Sequence, residues 1–222
     1  MQNYYLTIEN GVITWIEHTN VNGDPMPGIL YIPQEATSFS ADAWVTLGCD
    51  TDGICVHKDN PVYSSAHNCL LSKDGTRLIK TSKASDISKL NGLKVIGRDA
   101  FQTLAEERSE FVFRIPDGVE VLEYRAFAVA ADNVKIIVPA SVYFVDLMAF
   151  MIHSDHTHIV FEGDPYVEVG TFGTAAEAED SDFVVYKSLP AIMYPKVENI
   201  KVTCRPGGKV SAYCKKYGIL EV

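Results

Sequence analysis

Three histidines and one aspartate stand close together in the segment HSDHTH, residues 153–158. Imidazole nitrogens and a carboxylate suit zinc or copper, so His153, His156 and His158 are the best candidates for metal ligands. The segment is polar and lies between two repeated apolar segments, which is typical of an exposed loop. A metal-binding protein or an enzyme that uses this cluster is therefore a remote alternative.

Three other groups of residues could carry chemistry. The segment CDTDG (49–53) resembles a calcium loop, but no glutamate closes it at the required distance. Cys69 lies two residues after His67 on a predicted hairpin, yet no orienting group or oxyanion donor accompanies the pair, so a buried cysteine is expected. The segment RPGGK (205–209) could hold an anion at a helix N-terminus, although a turn into a helix is the simpler interpretation.

The sequence contains none of the motifs that mark common enzyme classes. It has no G-x-S-x-G, H-E-x-x-H, phosphate-binding loop or dinucleotide fingerprint. Its carboxylates are plentiful, but no recognisable frame places two of them as a glycosidase pair. We therefore predict a protein that is not an enzyme, with no catalytic residue, no cofactor and no metal ion.

Composition narrows the class of partner. The 222 residues include 19 Lys and Arg against 29 Asp and Glu, which gives a formal net charge of −10. An acidic chain is a poor partner for nucleic acid, and no apolar run approaches the length of a membrane span. The start lacks the features of a signal peptide, and the five cysteines are an odd number, so both favour free thiols in a reducing compartment.

Charge is unevenly distributed along the chain. Residues 136–186 contain no Lys or Arg but nine acids, whereas the stretch from Lys201 to the end contains five Lys or Arg and one acid. We expect one negative stretch of surface and a positive C-terminal end. The surface keeps the protein soluble or serves to dock a partner.

Internal repeats dominate the sequence. The segments 31–44, 114–127 and 137–150 share a proline, an alanine ten residues later and an aromatic residue directly after it. The segment 90–101 keeps the alanine and the aromatic residue, and a degenerate copy ends at Phe172. The copies from the second to the fourth lie 26 and 23 residues apart, a period typical of leucine-rich repeats.

The spacing has a physical interpretation. Proline donates no ladder hydrogen bond, so each apolar strand would end there. The small alanine allows neighbouring chains to approach, and the aromatic ring fills the space between them. The pattern predicts a β-rich α/β solenoid, a short right-handed leucine-rich-repeat superhelix with a β N-terminal cap and a helical C-terminal cap.

The cadence IPxxVxxIxxxAF resembles the BspA-like leucine-rich-repeat family of bacterial and protist proteins. Residues 6–18 are similar to the entry strands of that family, residues 57–79 to its hairpin insertion and residues 203–219 to its terminal cap helix. Gly208 departs from the pattern, because serine is usual at the start of the cap helix.

We therefore predict one continuous domain. Its parts are an N-terminal cap at 1–30, repeats at 31–172 with a hairpin insertion at 48–88, and a C-terminal repeat with the cap helix at 173–222. Asp74 and Gly75 are predicted to turn the inserted hairpin. The small and polar segment GTAAEAEDSD (173–182) is predicted to be a surface loop.

The resemblance implies a role in adhesion or host interaction, because the family is largely associated with cell surfaces. The expected function is a non-enzymatic binding module that recognises a protein, or as a second option a glycan, through the concave sheet and its loops. An intracellular interaction scaffold is the alternative, favoured by the signal-less start and the unpaired cysteines. Tyr63, Tyr124, Tyr143 and Tyr166 fall near strands or turns, where they would face a partner or fill the core.

Overall fold

Short strands, many with alternating buried and exposed residues, are the main regular elements of the described chain. The computed structural model describes residues 5–17, 28–47, 51–101 and 110–222. Contacts between Cα atoms divide the chain into two compact units, residues 1–93 and 94–222, each with its own core.

The first unit contains eight strands and one short helix among its described residues. Its elements are β1 (Tyr5–Glu9), β2 (Val12–Glu17), β3 (Ile29–Ile32), β4 (Ser38–Phe39), α1 (Ala41–Thr46), β5 (Gly53–Val56), β6 (Tyr63–Ala66), β7 (Cys69–Ser72) and β8 (Arg77–Lys80). Strands β1 and β2 form an antiparallel hairpin, and β4 adds to β2 in parallel. Strand β3 pairs in parallel with β5, so these strands form separate small sheets.

Strands β6, β7 and β8 of this unit form an antiparallel meander. The turn after β7 contains Asp74 and Gly75, with φ +74° at Gly75, and the predicted hairpin there is confirmed. Asp74 Oδ1 accepts hydrogen bonds from Ser72 Oγ at 2.6 Å and from the N–H of Thr76 at 3.1 Å. These bonds lower the pKa of Asp74 and fix the turn.

The second unit is built from two parallel sets of strands. Its described elements are β9 (Val95–Ile96), β10 (Glu110–Arg114), β11 (Val121–Leu122), β12 (Asn133–Val138), β13 (Phe144–Val145), β14 (His156–Phe161), β15 (Tyr166–Val167), α2 (Ala175–Asp180), α3 (Val184–Lys187), β16 (Ile200–Thr203), α4 (Lys209–Tyr217) and β17 (Leu220–Glu221). One set has the order β10-β12-β14-β16-β17, and the other pairs β9, β11, β13 and β15 in sequence. Three short 3₁₀ segments complete the described structure, at Ile87–Lys89, Ala191–Met193 and Val197–Asn199.

Four phenylalanines at equivalent repeat positions stack through the core of the second unit. Ring centroids are separated by 4.6 Å between Phe101 and Phe127, and by 5.8 Å for each of the next two steps, to Phe150 and then to Phe172. All four rings are buried. Offset stacking of this kind adds to the free energy of burial, so the aromatic position of the repeat organises this core.

In the second unit, the residue before each repeat alanine, or before Thr171 in the last copy, adopts a left-handed backbone conformation. The φ angles are 53° at Asp99, 53° at Arg125, 54° at Met148 and 92° at Gly170. This kink directs the next residue into the core, where Ala100, Ala126 and Ala149 are fully buried. Backbone hydrogen bonds then join the copies, as from the N–H of Phe127 to the carbonyl of Ala149 at 2.8 Å.

The prediction of a solenoid is wrong, although the structure is β-rich as expected. The strands fall into several mixed and parallel sheets with few helices, and no solenoid is present in the described residues. The first repeat shows the reason. Its Ala43 and Trp44 belong to helix α1, capped by the Ser40 side chain, and Trp44 packs on Phe39 rather than on a following copy.

The predicted helical C-terminal cap is also wrong. Helix α4 begins after Gly208 and ends at Tyr217, with Gly218 in the left-handed conformation. The chain then enters β17, which pairs in parallel with β16. The helix is therefore a crossover between two parallel strands, and a strand forms the edge of the sheet.

The segment 173–182 is not the predicted loop, because it contains helix α2. Thr174 Oγ1 accepts a hydrogen bond from the N–H of Glu177, and the Glu177 carboxylate accepts one from the N–H of Thr174. This reciprocal capping box nucleates the helix and was readable in the sequence as T-x-x-E.

Candidate ligand-binding groove

The solvent-facing side of the parallel sheet β10-β12-β14-β16 brings polar residues into ordered rows. Parallel register places Lys135 opposite His158, and His158 opposite Lys201. Val112 on β10 lies opposite Lys135 and completes this row. We call these four residues the cationic row, and neighbouring strands separate its members by about 4.8 Å.

A groove with a volume of ≈ 290 Å³ lies over this part of the sheet. Its lining residues are Glu110, Val112, Asn133, Val134, Lys135, His156, Thr157, His158, Glu198, Asn199 and Lys201. They come from all four strands and from the 3₁₀ segment before β16. The groove is therefore formed by the sheet as a whole and not by a single loop.

The two lysines of the cationic row are available to a ligand. Within the described part of the chain, neither Lys135 Nζ nor Lys201 Nζ forms a hydrogen bond or an ion pair. His158 lies between them, and burial together with both lysine charges lowers the pKa of its imidazole. The row thus presents two cations beside an imidazole whose pKa they lower.

Two acids line the same groove as the lysines. Glu110 begins β10, in register with Asn133 and His156, and Glu198 comes from the 3₁₀ segment. In the described residues neither carboxylate has an ion-pair partner. Along the direction of the strands, the two acids of the groove therefore come before the two lysines.

An apolar row follows the cationic row along the strands. Ile137 and Val160 lie opposite each other on β12 and β14, and both side chains are partly exposed. Arg114 on β10 extends across the sheet to Glu162, with Nη1–Oε1 at 2.6 Å and Nη2–Oε2 at 2.9 Å. Arg114 lies opposite Ile137, so this bidentate ion pair borders the apolar row.

The hydroxyl–imidazole pair at the groove is the closest approach to a catalytic arrangement. His158 Nε2 and Thr203 Oγ1 are 2.8 Å apart, a hydrogen bond whose direction depends on the tautomer. A nucleophile of this kind also needs a group that orients the imidazole. Among the described residues no carboxylate bonds to His158 Nδ1, so the pair serves to hold the imidazole in place.

The structure brings only two of the three candidate histidines together. His156 and His158 are two residues apart on β14 and share its outer face, whereas His153 pairs through its backbone with Ala130. Partial burial and the charge of Arg125 lower the pKa of His153. No group of three possible metal ligands occurs in the part of the chain that the structure describes.

The pairing of Cys69 with His67 has no catalytic geometry. Cys69 is buried, and its Sγ donates to the backbone carbonyl of His67 at 3.5 Å. Burial raises the pKa of this thiol. In the calcium-like segment, Cys49 and Asp50 lie outside the described residues.

At RPGGK, where the sequence favours a turn into a helix over an anion site, the acceptor at the helix start comes from the protein itself. Asp164 Oδ1 accepts a hydrogen bond from the N–H of Val210 at 3.2 Å at the start of helix α4. Burial works to raise the pKa of Asp164, but this bond, a second one from Lys209 and nearby positive charge hold it below its usual value. A Cβ atom at Gly208 would lie 2.6 Å from Asp164 Oδ1, which explains glycine where serine was expected.

The four tyrosines differ in exposure. Tyr143 and Tyr166 expose 62% and 51% of their surface, whereas Tyr63 is buried. Tyr124 is half-buried beneath Arg98, whose guanidinium carbon is 5.0 Å from the ring centroid. Tyr166 on β15 stacks on Phe144 of β13 with ring centroids 5.8 Å apart, and Tyr143 directly precedes that strand.

Sequence reasoning missed the lysines of the cationic row. Lys135 and His158 are 23 residues apart, the same spacing as between two repeats, and alternation in NVKIIV and HTHIVF puts both on the outer face. That periodicity was the signal that could have identified them.

Comparisons with known proteins assign no family. No family model matches the chain, and no curated protein matches it. A solved structure described as the crystal structure of the pneumococcal vaccine antigen PcpA is similar, with 11% identity and a TM-score of 0.39. The match covers 89% of this chain and 56% of the PcpA chain, a likeness too weak to assign a fold or a function.

Proposed function

We propose that this chain is a non-enzymatic binding module that recognises a protein segment on the outer face of the sheet β10-β12-β14-β16. The observation that carries the proposal is the cationic row, in which unpaired Lys135 and Lys201 face a groove of ≈ 290 Å³. The strand register fixes the backbone positions of the two lysines, and neither ammonium group has a partner in the described residues that a ligand would have to displace.

Two further observations support recognition at this face. Val112 has 59% of its surface exposed beside Lys135, and Ile137 and Val160 add partly exposed apolar surface next to it. An apolar centre with a polar rim is typical of protein interfaces. The resemblance of the repeats to the BspA-like family adds an adhesion-type role to the proposal. No helix in the described chain is long and apolar enough to cross a membrane.

The test selects peptides from a random dodecapeptide phage library on immobilised protein. A Val112→Trp variant covers the groove with a large side chain, and Val45→Trp is its control. Val45 is 58% exposed, almost the same as Val112, but does not line the groove. We expect enrichment on the wild type and on Val45→Trp, and at least a roughly tenfold loss on Val112→Trp.

Other outcomes would overturn the proposal. Peptides that bind Val112→Trp as well as wild type would show that this face is not used. If no peptide is enriched, while a glycan array gives binding that Val112→Trp abolishes, the ligand class is wrong. Equal far-UV spectra and melting temperatures of the two variants and the wild type are the control for folding.

A further inference from the structure

We infer that the groove takes an extended acidic peptide, in which an Asp or Glu side chain lies on the cationic row and an apolar side chain two residues along lies on Ile137 and Val160. This inference rests on the proposed function and names the class of its ligand. It follows from three features of the face, which are the charges of the two lysines, the spacing between the cationic and apolar rows, and the acids that disfavour a polyanion.

The charge feature is a position between two lysines. Lys135 on β12 and Lys201 on β16 are two strands apart, about 10 Å between backbones, and their flexible side chains can converge above β14. His158 lies between them in the register and also lines the groove. A single carboxylate placed there can meet both ammonium ions at once, as can other oxyanions.

The spacing feature selects a peptide over a small anion. Ile137 and Val160 lie two residues beyond Lys135 and His158 on the same strands, a separation of about 6.6 Å. An extended peptide presents same-side residues at this same interval. A peptide aligned with the strands therefore places an acidic residue and an apolar residue on the two rows together, as in Asp-x-Leu.

The acids of the groove disfavour a polyanion as the ligand. Glu110 and Glu198 line the groove beside the lysines, so two acids balance the two cations. The whole chain carries a further excess of acids, with a formal net charge of −10. A sulfated glycan or a nucleic acid would meet these carboxylates as it extends along the groove, whereas a peptide with a single acidic residue avoids them.

The experiment compares three biased phage libraries of random decapeptides that carry a fixed central Asp-x-Leu, Asp-x-Ser or Lys-x-Leu. The proteins are the wild type, a Lys135→Glu/Lys201→Glu double variant and a charge-matched control, Lys187→Glu/Lys215→Glu. Lys187 and Lys215 are exposed and do not line the groove. Folding of each variant is verified by its far-UV spectrum and melting temperature.

We expect the wild type and the double lysine variant to prefer peptides of opposite charge. Wild type and control should enrich Asp-x-Leu about tenfold over each of the other two libraries, since desolvated charge pairs and an apolar contact each contribute about that factor. The Lys135→Glu/Lys201→Glu variant should instead enrich Lys-x-Leu. Heparin fragments should not compete for the face at physiological ionic strength.

Each contrary outcome is assigned to one of the two proposals. If Val112→Trp abolishes enrichment but wild type takes Lys-x-Leu as readily as Asp-x-Leu, the acidic peptide is wrong and recognition at the face stands. If the double lysine variant keeps the wild-type preference, the cationic row is not the site of the carboxylate. If no biased library is enriched on wild type but the random dodecapeptide library is, the acidic peptide is wrong and recognition at the face stands. If neither is enriched, both proposals fail.

Discussion

The carboxylate of Glu177 has no exposed surface, although most of the residues in the core are apolar. It accepts hydrogen bonds from the N–H of Phe172 at 3.1 Å, from the N–H and Oγ1 of Thr174 at 2.8 Å each, and from the hydroxyl of Tyr213. Burial raises the pKa of Glu177, and these bonds oppose that effect. The side chain thereby joins helix α2 to helix α4 and to the last stacked phenylalanine.

We predict that Glu177→Ala lowers the free energy of unfolding by about 3 kcal/mol, because four buried donors lose their acceptor at once. Glu179→Ala is the matched control, since Glu179 lies on the same helix and is exposed. Its effect should stay within about 0.5 kcal/mol. Urea unfolding at pH 7 measures both variants, and equal effects would mean that the buried network contributes nothing specific.

The imidazole of His158 shows how the pKa of one side chain depends on its neighbours in the row. It lies between Lys135 and Lys201, and their charges act in the same direction as burial on its pKa. A carboxylate bound above it would act in the opposite direction. The sequence alone identified His158 as a metal candidate, and only the strand register revealed that its neighbours are cations.

Helix α4 depends on a residue that lies far away in sequence. Its N-cap position is Gly208, which has no side chain to accept a hydrogen bond, and Asp164 supplies that acceptor from the segment before β15. The negative charge also interacts favourably with the positive end of the helix dipole. Removal of this cap should cost about 1 kcal/mol.

The cap makes stability depend on pH in a defined direction. The pKa of Asp164 is lower in the folded protein than its ordinary value of 3.8. Its contribution is therefore complete above the unfolded-state pKa and is lost as pH falls through the folded-state value. We predict that Asp164→Asn is less stable than wild type at pH 6, and that the difference shrinks toward pH 2 to 3.

Urea unfolding at several pH values measures this difference. Asp182→Asn is the control, because Asp182 is exposed and its replacement reports the general effect of removing one negative charge. A difference between wild type and Asp164→Asn that stays constant down to the lowest pH would mean that the carboxylate does not cap the helix as an ion.

The repeat pattern predicted local packing better than it predicted architecture. The spacing of alanine and phenylalanine placed Phe101, Phe127 and Phe150 as successive neighbours, and they stack as successive neighbours in the core. The same spacing at Ala43 and Trp44 gave no equivalent structure, because Ser40 caps a helix there. A helix cap depends on a few local residues and can override a periodic signal that spans the chain.

The candidate groove was harder to predict than the core for a different reason. Its residues come from four strands and one 3₁₀ segment, so they become neighbours only when the parallel register is known. A shift of one residue would turn Lys135 and His158 toward the core. Buried alternate residues such as Ile136 and Ile159 fix the register, and the polar rows follow from it.

The excess of acids over the chain and the two unpaired lysines make opposite predictions for a polyanion. A net charge of −10 repels a sulfated polymer at long range, while the cationic row could attract it at short range. At physiological ionic strength charges are screened beyond about 8 Å, so the groups inside the groove determine whether a polyanion binds. There Glu110 and Glu198 balance Lys135 and Lys201.

We therefore predict that the protein passes through a heparin column unretained at about 0.15 M salt. A Glu110→Gln/Glu198→Gln variant removes the two acids of the groove and should be retained, eluting at a higher salt concentration. Glu179→Gln/Asp182→Asn is the control, since it makes the same change in net charge at exposed positions outside the groove. Equal elution of the two variants would show that net charge alone excludes the polyanion, and strong retention of the wild type would show that the acids of the groove do not exclude it.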